Sequence, residues 1–205
     1  MDSSMSHRIE RGKGPWPKAN DENSIRGWLS QRMSLGVEEE EILPVVEICL
    51  DFVSLKGRGE RMMEGFRYSE SIIDRLALIG DGLAEGKPVQ YLLKSAHFDG
   101  LDLFVDANVL IPSPETEELV FAVKRRVRKE FSGRVLDIGT GSGCIALSLK
   151  NRIPEAEVFA TDLSECALKV AIKNAAFHNL EVAFECSDIL SEFPFNGQSF
   201  DVVVS

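Results

Sequence analysis

The chain has 205 residues, 44% of them hydrophobic, which predicts one domain or two small ones with a real core and excludes global disorder. Its formal net charge of −10 argues against broad electrostatic binding to nucleic acid, which needs a basic face. The three histidines and four cysteines, with no C-x-x-C pair, support neither a zinc site nor a disulfide framework, and no stretch approaches the ~20 apolar residues of a membrane span. We therefore expect no metal and no membrane contact, and a reducing cytoplasm is the simplest compartment.

The chain begins with a polar tail and continues with helices. Residues 1–20 lack the apolar run of a secretory signal, and we interpret them as a disordered tail, with a transit peptide as the alternative. Apolar residues at helical spacing then recur within residues 21–33, 37–55 and 69–86. Ser69 suits the N-cap of the last segment and Gly86 its stop. Residues 21–86 are therefore predicted to form a small all-α bundle, which carries no catalytic motif of its own.

The periodicity changes after Gly86. Val89, Tyr91 and Leu93 alternate as in a strand. Asp99-Gly100 then separates two apolar runs, which is the strongest short signal for a β-hairpin. Residues 87–112 are therefore predicted to be a β-hairpin linker.

A helix is predicted to follow the linker. Ser113 suits its N-cap and Pro114 its first position. The helix leads into a basic run: Lys124, Arg125, Arg126, Arg128 and Lys129. We interpret this run as the solvated C-terminal turns of the helix, which the helix dipole favours, with a local nucleic-acid patch as the alternative.

From Gly133 onward, strand-like and helix-like segments alternate. The predicted strands are "RVLDI", "EVFATD", "EVAFECSD" and "FDVVVS", and the predicted helices are "GCIALSLKNR" and "SECALKVAIKNAAFHN". Such alternation indicates parallel βαβ units. The predicted fold class is therefore α/β, with a doubly wound, Rossmann-like sheet in residues 113–205.

The segment "VLDIGTGSGCIAL" joins the first of these strands to a helix and is the candidate ligand loop. Its glycines allow a tight turn and let a ligand approach the backbone and the helix N-terminal amides. The dinucleotide fingerprint G-x-G-x-x-G would need a glycine where Cys144 stands, which disfavours a nicotinamide dehydrogenase. A purely structural turn is the other alternative. The candidate residues are Asp137, Gly139, Thr140, Gly141, Ser142 and Gly143.

Acidic residues end the next two strands. Asp162 is placed to accept hydrogen bonds from both ribose hydroxyls of a nucleoside, and the alternative is an N-cap role, which Ser164 could take instead. Asp188 and Ile189 offer an acceptor and an apolar wall for an adenine ring, and the alternative for Asp188 is a cap or turn. Ligands of open α/β sheets bind at the carboxyl ends of strands, so these groups together favour a ligand that contains a nucleoside.

These motifs resemble those of a known enzyme family. The glycine segment, Asp162 and "SDIL" are similar to the S-adenosylmethionine site of class I methyltransferases. "GKPVQYLL", "HFDGLDLFVD" and "VLIPSPETEELV" resemble the HemK/PrmC family, the glutamine methyltransferases of peptide chain release factors, over roughly Asp21 to the chain end. The resemblance implies that residues 139–143 hold the methionine and ribose side of the cofactor. It assigns Asp162 to the ribose hydroxyls, and Asp188 and Ile189 to the adenine.

The same resemblance implies a reaction and a partner. The reaction is methyl transfer to the side-chain amide nitrogen of the glutamine in the GGQ motif of a release factor, in the cytoplasm, with no direct nucleic-acid contact. The bundle is expected to recognise this protein substrate. Pro112, Glu115 and Thr116 are the substrate-side candidates, while Ser113 stands where the family usually has arginine. A ribosomal-protein glutamine and a non-catalytic S-adenosylmethionine-binding module are the alternatives.

The resemblance also implies where the acceptor amide is held. In the family the fourth strand runs into an Asn-Pro-Pro-Tyr motif that accepts the two amide hydrogens. This motif would follow Ser205. We therefore expect only the first four strands of the sheet within residues 1–205, no catalytic residue among them, and an inactive fragment.

Overall fold

The computed structural model describes residues 12–128 and 130–205. They divide into two compact units, one that ends at Leu93 and one that runs from Lys94 to Ser205. Within these described residues, every helix falls short of the length and apolarity that a membrane crossing requires, and no cluster of histidine, cysteine and acidic side chains could hold a metal ion.

The first unit is helical. Its helices are α1 (Glu22–Met33), α2 (Glu39–Ser54), α3 (Arg58–Glu64), α4 (Glu70–Ala84) and α5 (Val89–Leu93). Side chains cap two of them, since Asp21 accepts from the Ser24 amide at 3.1 Å and Ser69 accepts from the Ile72 amide at 3.4 Å. The predicted apolar stripes meet in one core, which includes Ile25, Leu29, Met33, Val46, Cys49, Leu50, Leu76 and Leu83.

Helix α3 is absent from the sequence prediction, and it buries a charge instead of an apolar stripe. The Arg61 side chain is 0% exposed and pairs with the carboxylates of Glu22 at 3.1 Å, Glu47 at 3.0 Å and Asp51. The Tyr68 hydroxyl donates to the same Glu22 carboxylate at 2.5 Å. A buried guanidinium is tolerated here because several acids and a backbone carbonyl accept its hydrogens.

The N-terminal tail is described only in part. Residues 1–11 of the predicted disordered segment lie outside the described residues. Residues 12–20 follow an irregular path that hydrogen bonds tie to the bundle. The Trp28 indole donates to the Pro15 carbonyl at 2.7 Å, and the Tyr68 amide donates to the Asn20 carbonyl at 3.0 Å. This part therefore differs from the prediction of disorder, because polar groups of the bundle find partners on its backbone.

The strand predicted around Val89 is wrong, because Val89–Leu93 forms the short helix α5. The same residues fit two periods. Val89, Tyr91 and Leu93 alternate, whereas Val89, Leu92 and Leu93 lie at i, i+3 and i+4. The helical set packs on the bundle core, so tertiary burial selects the helix for a run too short to be assigned by periodicity.

The second unit begins with the predicted hairpin. Strands β1 (Ala96–Phe98) and β2 (Leu101–Leu103) pair antiparallel. Asp99 and Gly100 both have positive φ, at 49° and 80°, as the tight hairpin turn requires. The Asp99–Gly100 turn is therefore confirmed.

A parallel α/β layer forms the rest of this unit. Its elements are α6 (Pro114–Arg126), β3 (Arg134–Ile138), α7 (Cys144–Arg152), β4 (Glu157–Asp162), α8 (Glu165–His178), β5 (Ala183–Cys186), a short left-handed turn at Pro194–Gly197 and β6 (Val202–Val204). The strands pair in the order β5-β4-β3-β6, each pair parallel. In this order the chain moves outward from β3 to β4 and β5 and then returns to place β6 on the other side of β3, which is the doubly wound, Rossmann-like arrangement predicted above.

Candidate functional site

The ends of β3, β4 and β5 bring the candidate cofactor residues to one edge of the sheet. Ile138 pairs with Thr161, and Asp162 pairs with Cys186. Because the three strands are parallel, the glycine loop after β3, the acid at the end of β4 and the segment after β5 all leave the sheet on the same side. This edge is where open α/β sheets bind their ligands.

The glycine loop has a backbone that other residues adopt with strain. Gly139 and Gly141 have φ of 72° and 56°, in the left-handed region. A Cβ at Gly139 would meet no atom within 4 Å, and one at Gly141 would meet only the Gly139 carbonyl at 4.0 Å. The loop therefore presents open backbone at these positions, a cradle that side chains would fill.

Hydrogen bonds to β4 hold this loop in place. The amides of Gly139 and Thr140 donate to the Thr161 carbonyl at 2.8 and 3.0 Å. The amide of Gly141 donates to an Asp162 carboxylate oxygen, Oδ2, at 2.9 Å. The loop and the β4 acid are thus one connected structure.

Asp137 lies beneath the loop and is 0% exposed. Its Oδ2 accepts from the Thr140 hydroxyl at 2.7 Å and from the Ala146 amide at 3.2 Å. Its Oδ1 is buried and has no hydrogen-bond partner among the described residues, as is the case for the Ser142 hydroxyl. Burial raises the pKa of the Asp137 carboxyl to about 6, against the opposing effect of its two hydrogen bonds.

Asp162 is half-buried, and both of its carboxylate oxygens are engaged. Oδ1 accepts from the Ser164 amide at 2.8 Å, while Oδ2 accepts from Gly141. Ser164 is the N-cap of α8, where its hydroxyl accepts from the Ala167 amide at 3.2 Å. The N-cap alternative for Asp162 is therefore wrong, and its carboxylate retains lone pairs at the strand edge.

Asp188 lies at the same edge but supports its own turn. Its carboxylate accepts from the Leu190 amide at 3.0 Å and from the Ser191 hydroxyl at 2.9 Å. Asp188 is exposed, and the neighbouring Ile189 is half-buried. This geometry fits the turn alternative, and the adenine role of the pair stays a prediction.

The substrate-side candidates form a separate group at the start of α6. Ser113 is the N-cap by position, yet its hydroxyl pairs with the Thr116 hydroxyl at 3.2 Å instead of a helix amide. Hydrogen bonds from its own backbone amide and from the Ser113 hydroxyl lower the pKa of the exposed Glu115. Pro112 and Thr116 are half-buried. At this end of α6 the structure offers hydroxyls and a carboxylate, and no arginine.

The basic run at the end of α6 agrees with its structural interpretation. Lys124, Arg125 and Arg126 occupy the last helical turn, and Lys124 donates to the Arg152 carbonyl at 3.0 Å. Lys129 lies outside the described residues.

Asn174 is a residue of the site that the sequence analysis missed. It lies on the buried face of α8 and bonds to the Ser142 carbonyl of the glycine loop at 2.9 Å. A signal was available, because an asparagine interrupts the apolar stripe that includes Val170, Ala171 and Ala175. Its partner, 32 positions earlier in the chain, has no sequence signature.

The chain is similar to known methyltransferases. A family model described as "Methyltransferase domain" matches residues 135–205. The chain is 46% identical to the release factor glutamine methyltransferase of Flavobacterium psychrophilum, over 60% of this chain and 44% of that protein. It is 42% identical to the protein of the same name from Koribacter versatilis, over 69% of this chain and 48% of that protein.

A third relative covers more of the N-terminal unit. The release factor glutamine methyltransferase of Bacteroides thetaiotaomicron is 35% identical over 89% of this chain and 66% of that protein. The chain thus spans about half the length of the curated relatives it matches. Because these relatives all carry the same name and the matching family model is that of a methyltransferase domain, we conclude that the chain belongs to the HemK/PrmC family of S-adenosylmethionine-dependent methyltransferases.

Proposed function

We propose that this protein methylates the side-chain amide nitrogen of a glutamine, that of the GGQ motif in peptide chain release factors, in the cytoplasm where those factors act. When bound, S-adenosylmethionine supplies an activated methyl group on a positively charged sulfur. The chain's own residues would bind and orient that cofactor. The observation that carries the proposal is the single connected edge formed by the glycine loop and Asp162.

The residues of the glycine loop and Asp137 fit the cofactor in two ways. The unpartnered Oδ1 of Asp137 and the hydroxyl of Ser142 are buried polar atoms that a polar ligand group or an ordered water would satisfy. The open backbone at Gly139 and Gly141 admits a ligand close to the loop amides. We assign Asp137 and residues 139–143, including Thr140, to the methionine and ribose side.

The remaining contacts follow the strand order. Asp162, at the end of β4, would accept from the ribose hydroxyls with the lone pairs that its two backbone bonds leave. Asp188 and Ile189, after β5, would flank the adenine. Pro112, Glu115 and Thr116 are our candidates for the substrate side.

The rate acceleration that we propose is mainly positional. A carboxamide nitrogen is a weak nucleophile, because its lone pair is delocalised into the carbonyl. Holding donor and acceptor in line can contribute up to ~7–11 kcal/mol in well-oriented systems. We propose that the bundle of residues 21–86 recognises the release factor, since it has its own core and no catalytic motif.

The cofactor assignment is tested by calorimetry on the 205-residue chain. S-adenosylmethionine and S-adenosylhomocysteine should bind, and NAD should not. Asp162→Asn should weaken binding by roughly tenfold to a hundredfold, since hydrogen bonds to a charged group contribute about 1.5–3 kcal/mol. Glu165→Gln, an exposed acid on the next helix, is the matched control and should bind as the unmodified chain does. Equal affinity for all three proteins would refute the ribose role.

The substrate assignment needs a form of the protein that spans the full length of its relatives. Mass spectrometry of a purified release factor should show a single added methyl on the GGQ glutamine. Methylation of a ribosomal-protein glutamine in place of the release factor would overturn the proposed substrate and leave the cofactor assignment intact.

A further inference from the structure

Asn174 is the most fully bonded polar side chain described near the glycine loop. It is 1% exposed. Its Oδ1 accepts from the Phe104 amide at 2.7 Å, and its Nδ2 donates both to the Phe104 carbonyl at 2.9 Å and to the Ser142 carbonyl at 2.9 Å. The side chain therefore uses both of its N–H donors and its oxygen acceptor. Because the group is buried, losing any one of these partners would destabilise the folded protein.

The hydrogen bond from Asn174 to the Ser142 carbonyl supports the glycine loop. Ser142 lies between Gly141 and Gly143, both with positive φ. A Cβ at Gly143 would come within 3.2 Å of the Ala171 side chain, which lies one turn before Asn174 on α8. Helix α8 thus packs directly against the glycine loop at Gly143. The bond from Asn174 fixes the orientation of the Ser142 carbonyl, in the peptide between Ser142 and Gly143.

The two hydrogen bonds from Asn174 to Phe104 hold the segment that follows the hairpin. Phe104 follows directly on β2, and both of its backbone polar groups bond to the Asn174 amide. The Lys173 ammonium lies 3.1 Å from the centre of the Phe104 ring, which adds a second attachment to the same helix. From Phe104 the chain continues to Pro112 and the start of α6, where the substrate-side candidates lie.

We propose that Asn174 is a positioning residue, which sets the conformation of the cofactor loop and couples it to the segment that leads to the substrate side. This inference rests on the proposed function. Asparagine suits the position because only a short amide supplies two donors to the facing carbonyls and an acceptor to the Phe104 amide. Aspartate has the same shape but no donor, so both carbonyls would face an acceptor.

The test compares Asn174→Asp and Asn174→Ala with Leu168→Ala. Leu168 is a buried apolar residue on the same helix, so its truncation removes packing without touching the loop bonds. Calorimetry with S-adenosylhomocysteine, at a temperature where each variant is folded, should show at least tenfold weaker binding for the Asn174 variants. The Leu168 variant should stay within about twofold of the unmodified chain.

Hydrogen exchange gives a readout that does not depend on the cofactor. Peptides covering 102–108 and 139–143 should both exchange faster in Asn174→Asp and keep their rates in Leu168→Ala. Faster exchange of only one segment, or unchanged affinity in the Asn174 variants, would overturn the inference. If the unmodified chain binds no cofactor, the proposed function fails, and the exchange comparison still tests the coupling.

If the Asn174 variants do not fold, the unmodified chain decides the matter. Added S-adenosylhomocysteine should slow exchange in the 139–143 and 102–108 peptides with the same concentration dependence. Protection of the loop peptide alone would show that the two segments are not coupled.

Discussion

Asp137 organises the glycine loop and, in our proposal, also contacts the cofactor. Its Oδ2 organises the loop through Thr140 and Ala146, while its Oδ1 has no partner among the described residues. A buried carboxylate with an unmet acceptor destabilises the free protein when it is ionised. The ionised Asp137 carboxylate therefore lowers the stability of the ligand-free fold, so the charge itself is not needed for folding.

We expect Asp137→Asn to stabilise the ligand-free chain at pH 8. The pKa of the folded carboxyl is about 6, above its ordinary value of 3.8, so the folded state binds the proton more tightly. Stability is therefore lost as pH rises between these values, by roughly 3 kcal/mol in total. The variant avoids this loss. Thermal denaturation should show a higher Tm for Asp137→Asn at pH 8 and a smaller difference at pH 5.

We expect the gain in stability of Asp137→Asn to be accompanied by a loss of cofactor affinity. The same variant should bind S-adenosylhomocysteine more weakly, because the carboxylate charge is gone. A lower Tm at pH 8, or a Tm difference that does not depend on pH, would contradict the assigned cause.

The elements show which features can be predicted from sequence. The parallel strands and the Asp99–Gly100 turn follow from apolar alternation and turn chemistry, and so does the position of the glycine loop and Asp162 at one edge. Helix α3 could not be predicted, since its buried residue is the charged Arg61. The contact of Asn174 could not be predicted either, because it joins residues 70 positions apart. The roles of Asp188 and Ile189 remain predictions.

At the hairpin, Arg152 holds the Asp99 turn against the parallel layer. The Arg152 guanidinium makes two hydrogen bonds to the Asp99 carboxylate, whose side chain is 1% exposed, and lies 4.4 Å from the centre of the Phe121 ring. Arg152→Met should destabilise the chain by about 3 kcal/mol, because it leaves a buried carboxylate unpaired.

A double-mutant cycle in urea measures this interaction. Combining Arg152→Met with Asp99→Asn should recover part of the lost stability, since the neutral amide no longer needs a cation. Strictly additive losses in the double variant would show that the pair is not coupled.

At the scale of the whole molecule, two units have separate cores and different roles in our proposal. The unit that ends at Leu93 carries an acidic helix start at Glu39, Glu40 and Glu41 and a buried ionic cluster around Arg61. The unit from Lys94 onward carries the candidate cofactor edge. In our proposal the first unit recognises the release factor and the second binds the cofactor.

We expect deletion of residues 21–86 from a full-length form to impair methylation of an intact release factor more than of a short glutamine peptide. The peptide lacks the surfaces that the bundle would contact, so it loses less. The ratio of kcat/KM for the two substrates, measured before and after deletion, checks this. An equal loss on both substrates would indicate that the bundle only stabilises the enzyme.

The bonds from the glycine loop to Thr161 and Asp162 also have a kinetic consequence. A loop that is already folded needs no ordering step, so ligand binding should be a one-step bimolecular association. In stopped-flow mixing, the observed association rate should rise linearly with S-adenosylhomocysteine concentration and reach no plateau. Asp162→Ala removes the acceptor of the Gly141 amide, and a plateau should then appear as loop ordering limits the rate. A plateau in the unmodified chain would mean that the loop forms only as the ligand arrives.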